Sequence, residues 1–102
     1  MRFNLGLTNI DTAGTAERVL NTTDRVLWVK FTAPATNADI TYVGASNVDA
    51  PSDPPVGYPL GAAGGSDSTL ELDFRGGSVL ANTFWVDAIS NNDDVAWAFV
   101  LE

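Results

Sequence analysis

Neither cysteine nor histidine occurs among the 102 residues of the chain. Without cysteine there are no disulfides, no thiolate nucleophile and no Cys-ligated metal. Without histidine there is no imidazole general base, and the commonest zinc ligand is missing. A serine nucleophile would then have no base to activate it. Basic residues are also scarce. Arg2, Arg18, Arg25, Lys30 and Arg75 stand against 13 acidic residues, a formal charge of −8. Five scattered cations make no phosphate-binding footprint, so nucleic acid is not an expected partner. An anionic membrane surface is disfavoured on the same ground. No apolar stretch approaches the ~20 residues of a membrane helix. Residues Met1 to Leu7 hold no apolar core long enough for a signal peptide, and synthesis in the cytoplasm is the expectation.

What is present is a globular composition, 45% apolar. A chain of this length makes one domain and buries roughly 60–65% of its unfolded surface. That leaves modest stability, to which an oligomer would add. The acidic residues spread from Asp11 to Glu102 without a polyanionic tail. They read as a soluble surface that keeps free copies apart.

Period-two alternation runs through the chain and predicts strands. Over Arg25–Ala33, Leu27, Val29, Phe31 and Ala33 share one face and Val26, Trp28 and Lys30 the other. Pro34 ends this strand because proline cannot donate to a ladder. The polar run Asn21–Asp24 reads as a turn, which predicts a hairpin between 15–20 and 25–33. A short helix over 11–20 is the rival reading, weakened by Gly14. Further strands are expected at 39–44, with Ile40 and Tyr42 on one face, and at 68–74, with Leu70, Leu72 and Phe74 alternating against Thr69, Glu71 and Asp73. Two more follow at 83–89 and at 95–101, where Val95, Trp97, Phe99 and Leu101 alternate with small residues. Turns fall at 44–47, at Arg75–Gly77 and at Asn91–Asp94, with Val48 tucked inward.

Residues 50–67 differ in kind. Pro51, Pro54, Pro55 and Pro59, with Gly57, Gly61, Gly64 and Gly65, read as one long loop. Tyr58–Leu60 is an apolar island that anchors it. Residues 1–14 alternate weakly at Phe3, Leu5 and Leu7 and read as an N-terminal arm able to add a strand to a neighbour. Six to eight short strands joined by turn clusters predict a single all-β domain, an antiparallel β-sandwich of jelly-roll type, with a partly closed barrel as the alternative.

No constellation of catalytic residues emerges. Glu71 and Asp73 sit two apart on the wet face of one strand, and Asp87 with Asp94 shows no convergent neighbours, so neither pair reads as a glycosidase dyad. The Asn91–Asp94 turn and the Asp49/Asp53 loop do not match a calcium-loop spacing. Gly64–Gly65 and Gly76–Gly77 are followed by no helix, so they read as turns rather than phosphate cradles. No catalytic, metal or cofactor residue is therefore expected. Trp28, Trp85 and Trp97 read as core or subunit contacts, since tryptophan is enriched at interfaces.

One series of segments is more specific. Val29–Ala33 (VKFTA), Asn37, Ile40–Val48 (ITYVGASNV), Gly57–Leu60 (GYPL) and Leu70–Leu72 (LEL) follow in an order that resembles small virion proteins of tailed bacteriophages. The resemblance covers residues 25–74, about half the chain. This chain departs from the pattern by the proline-rich insertion 49–56 and the glycine-rich insertion 61–67. The resemblance implies a β-sandwich structural protein of the particle, with no catalytic residues. A capsid decoration (cement) protein is the expectation: a homo-oligomer, a trimer, made in the host cytoplasm. It would bind the capsid surface and bridge major capsid protein subunits. The alternative is a carbohydrate-binding β-sandwich or another component of tail, neck or fibre. Partner contacts are expected on residues 1–14 and 50–67, at Phe3, Leu5, Leu7, Pro54, Pro55, Tyr58 and Leu60, together with Trp28 and Trp85.

Overall fold

The computed structural model describes residues 1–61, 68–75 and 79–102. Among them lie strands β1 (Arg2–Ile10), β2 (Glu17–Arg18), β3 (Val26–Thr32), β4 (Thr41–Gly44), β5 (Tyr58–Leu60), β6 (Thr69–Asp73), β7 (Trp85–Ala88) and β8 (Asp93–Leu101), with a 3-10 turn at Ala81–Thr83. They form two four-stranded antiparallel sheets, β1-β8-β3-β6 and β2-β7-β4-β5. The pairs β1–β8, β2–β7, β3–β6 and β4–β5 nest inside one another, so the chain behaves as one long antiparallel hairpin wrapped around a core. The pairs β3–β8 and β4–β7 then complete the sheets. This is the strand order of a jelly roll, as the alternation predicted.

The core forms where the inner faces meet. Val29 and Phe31 of β3 and Val95, Phe99 and Leu101 of β8 pack against Val43, Leu60, Val86 and Ala88 of the facing sheet. Phe31 lies 5.4 Å from Phe84 and 5.9 Å from Phe99, ring centre to ring centre, in tilted and edge-on contacts. Burying each such ring stabilises the fold by roughly 1.5–3 kcal/mol.

Several expectations need correction. A register shift between Val26 and Trp28 turns Val26 into the core and leaves Leu27 half-buried, so the predicted alternation holds only from Val29 onward. β2 pairs with β7 rather than forming a hairpin with β3, and residues 11–20 hold no helix. Residues 1–14 are not a detached arm, because β1 is paired along its whole length with β8 of its own chain. The loop 50–67 is interrupted by β5 and by paired backbone bonds between Asp49 and Val56 (3.0 and 2.9 Å). Proline is tolerated there because β5 is an edge strand. Gly57 has φ +133°, and a Cβ there would come 2.8 Å from Val48, so this turn requires glycine. The predicted turn at 91–94 is shorter, since Asp93 and Asp94 already belong to β8. The turns expected at Gly64–Gly65 and Gly76–Gly77 lie outside the described residues.

Candidate interaction surface

The outer face of the sheet β2-β7-β4-β5 is covered by the chain itself. Asp87 of β7 points away from the core yet is 0% exposed. The β1–β2 and β4–β5 connections cross over it, and its carboxylate accepts the N–H groups of Gly14 (3.0 Å), Ala50 (2.9 Å) and Ala88 (2.8 Å). Val48 and Ala50 are buried with it. A similar fastening holds the β3–β4 connection. Asp93 accepts the N–H groups of Ala38 and Asp39, while the Asn37 amide donates to the carbonyl of Asp94 and accepts its N–H. The carboxylates of Asp87 and Asp93 are thus occupied by backbone donors. Asp94 instead accepts the Asn9 amide at 2.8 Å.

The outer face of the sheet β1-β8-β3-β6 has no such cover among the described residues. The registers place its side chains in rows: Phe3, Val100, Trp28 and Asp73; Leu5, Ala98, Lys30 and Glu71; Leu7, Ala96, Thr32 and Thr69. The β1 end of each row is apolar and the β6 end polar. Phe3, Leu5 and Leu7 are 65%, 64% and 58% exposed. The small side chains of Ala96 and Ala98 leave an open hollow of about 200 Å³ between Leu5, Lys30 and Thr32.

Local sequence explains why β1 turns its apolar residues outward. Ile10 at its C-terminal end turns into the core, but the inward positions ahead of it are Asn4, Gly6 and Thr8. The space beneath them is filled by Trp97, whose ring would lie 2.3 Å from a Cβ on Gly6 and whose indole N–H donates to the Thr8 hydroxyl at 3.0 Å. With the inner side occupied from β8, the leucines and Phe3 are left to solvent. Exposed apolar rows of this kind mark interaction surfaces.

The edges of the sandwich differ in the same way. β2 has two residues, β5 has three including Pro59, and β6 carries Glu71 and Asp73. These are devices that blunt a sheet edge against pairing. β1 has nine residues, no proline and no acidic side chain. Among the described residues no strand pairs with its outer side. The Ile10 carbonyl accepts the Asn92 N–H on the β8 side. Alternation along the strand then turns the N–H and C=O groups of Phe3, Leu5 and Leu7 toward the open edge. The only charge on β1, Arg2, is held in an ion pair with Asp24. The Thr22 hydroxyl and that guanidinium hold the Asp24 carboxyl below its usual range.

Of the residues expected from sequence, Phe3, Leu5, Leu7 and Trp28 meet on this one face. Trp28 is half-buried and donates its indole N–H to Glu71 at 2.7 Å. Trp85 lies on the other sheet, with the Arg18 guanidinium 4.7 Å above its ring. Pro54, Pro55 and Tyr58 are exposed, but they belong to the β4–β5 connection and to β5, in the other sheet. Leu60 is a correction: it is 0% exposed and part of the core, because its register opposite Thr41 turns it inward. Ala96, Ala98 and Val100 were missed as surface residues. Their signal was the set of small residues alternating with Val95, Trp97, Phe99 and Leu101. Among the described residues no three acidic side chains gather to hold a metal ion. Comparison with protein-family models, curated proteins and solved structures finds no match for this chain.

Proposed function

We propose that this chain is a non-catalytic structural component of an assembled particle, a decoration protein that docks on a tailed-phage capsid and ties neighbouring major capsid subunits together. The observation that carries this reading is the exposed apolar row Phe3, Leu5 and Leu7 on β1, an edge strand without proline or acidic residues that pairs with no further strand among the described residues. Jelly rolls recur among viral capsid and lectin domains, and the fold alone does not choose between them. The order of segments over residues 25–74 favours the virion. The charge of −8 opposes contact between copies over most of the surface, and the acid-free β1 strip is where that repulsion is least. A protein that binds only the assembled shell stabilises it by mass action.

The carbohydrate-binding alternative has less support. Trp28 is the tryptophan on the uncovered face, and its indole N–H is engaged by Glu71. A glycan array with the native chain and Trp28→Ala addresses it, and binding lost in the variant would favour this alternative. The main reading is tested by cryo-EM of particles from the phage that encodes the chain. Density for this jelly roll across contacts between major capsid subunits is expected. Its absence from the shell, or its confinement to neck or tail, would reject the decoration role.

A further inference from the structure

We infer that two copies of this chain pair through β1 in antiparallel register, joining their sheets into one of eight strands. The occupant of the open edge is a second copy for three reasons. The first is self-complementarity. A two-fold axis at Gly6, the middle residue of Arg2–Ile10, sets every residue of the strand opposite one in the copy. Leu5 of each copy then lies opposite Leu7 of the other, Phe3 opposite Asn9 and Asn4 opposite Thr8. The backbone groups of Phe3, Leu5 and Leu7, which face the edge, become the paired ones, and four leucines form a cluster on the outer face.

The second reason is charge. Each copy carries −8, yet no acidic residue occurs before Asp11. Arg2 is already matched by Asp24 within the chain. Two copies can therefore meet along β1 with no carboxylate of that strand facing another. The third reason is size. A nine-residue edge is about 30 Å long. Covering the exposed parts of Phe3, Leu5 and Leu7 with the strand beside them removes on the order of 500 Å² per copy, or about 1,000 Å² in all, the lower bound of a specific interface. Such pairing is isologous and closes at two copies, not at the three the virion resemblance implies, and it consumes the open edge instead of propagating it.

This inference shares the β1 surface with the reading above but not its virion setting, so its failure would leave the particle reconstruction standing as a separate test. Sedimentation velocity and light scattering on the native chain over a concentration series give the mass directly. The expected species is twice the 10.8 kDa chain. Added salt should tighten it, because screening weakens the repulsion between like-charged copies. Leu5→Pro removes an N–H that faces the open edge and leaves the β1–β8 ladder intact. Leu5→Lys changes only an exposed side chain and serves if the proline variant misfolds. Each should weaken self-association about 30-fold or more. Ile89→Asn, just past the end of β7 in the other sheet, should leave it unchanged. A monomer at all concentrations, a trimer, an open-ended series of larger species, or a dimer indifferent to both Leu5 variants would overturn the inference.

Discussion

The two four-stranded antiparallel sheets of this sandwich finish their outer faces in opposite ways. On β2-β7-β4-β5 the chain folds its own connections over the sheet and secures them to Asp87 with backbone donors from Gly14 and Ala50. On β1-β8-β3-β6 nothing described covers the apolar rows, and Phe3, Leu5 and Leu7 stand in solvent. A buried carboxylate with three N–H partners belongs to the stability of the monomer. An exposed apolar row adds little to that stability, and its energy is realised only when something covers it. Changes on the covered face should therefore unfold the chain, whereas changes on the bare face should alter its associations and leave the fold alone.

The largest effect should come from Asp87→Ala. It strips three N–H groups of their acceptor and should cost about 4 kcal/mol in urea unfolding, with Asp87→Asn costing about half as much. A loss below ~1 kcal/mol would mean that the covering loops hold without it. Next is Gly6→Val, which tests how β1 is seated on the bare sheet. Its side chain would collide with Trp97, and overpacking of this kind should cost about 3 kcal/mol and shift the tryptophan emission. Asn37→Ala removes the two bonds that fasten the β3–β4 connection to Asp94, and about 2 kcal/mol should be lost by the same urea assay.

A smaller effect is expected at acid pH. The Asp24 carboxyl is held below the ordinary aspartate value of about 3.9, first by the Thr22 hydroxyl and then by Arg2. Its contribution is complete above that ordinary value and is lost as pH falls through the lowered one. Melting temperature followed from pH 6 to about pH 2 should drop less steeply in Asp24→Asn than in the native chain; identical slopes would remove Asp24 from the account. The smallest effect is Leu5→Lys, which should change monomer stability by no more than about 0.5 kcal/mol, as exposed positions do. A large loss there would show that the bare face supports the fold, and the contrast between the two faces would collapse.

Much of the fold was legible because its signal is local. Alternation over 29–33, 70–74 and 95–101 identified strands whose inner residues are in or against the core, and Pro34 and the Asn/Asp clusters marked ends and turns. The failures share a cause. At Val26–Trp28 a bulge shifts the register by one residue, and nothing in the composition of Val26, Leu27 and Trp28 says which of them turns inward. At 15–33 a strand, a turn at Asn21–Asp24 and a hairpin to the next strand are expected from sequence, but 21–24 form no turn and Glu17–Arg18 pair elsewhere. In a jelly roll the partner is a distant strand, β7. Leu60 lies in the loop 50–67 expected to touch a partner, and its burial depends on pairing with Thr41.

The candidate surface divides along the same line. Phe3, Leu5 and Leu7 are visible in the sequence as an alternating set, and the absence of cysteine, histidine and clustered cations points to a surface. Those are properties of single residues and near neighbours, which a linear chain states directly. Only the tertiary structure decided which side of β1 faces the core. That choice depends on Trp97, 91 residues after Gly6, occupying the space beneath the strand. It likewise decided that Asp87 is buried, since the loops that cover it come from Gly14 and Ala50. Burial and edge exposure are relations between segments far apart along the chain, set by which strands close on one another.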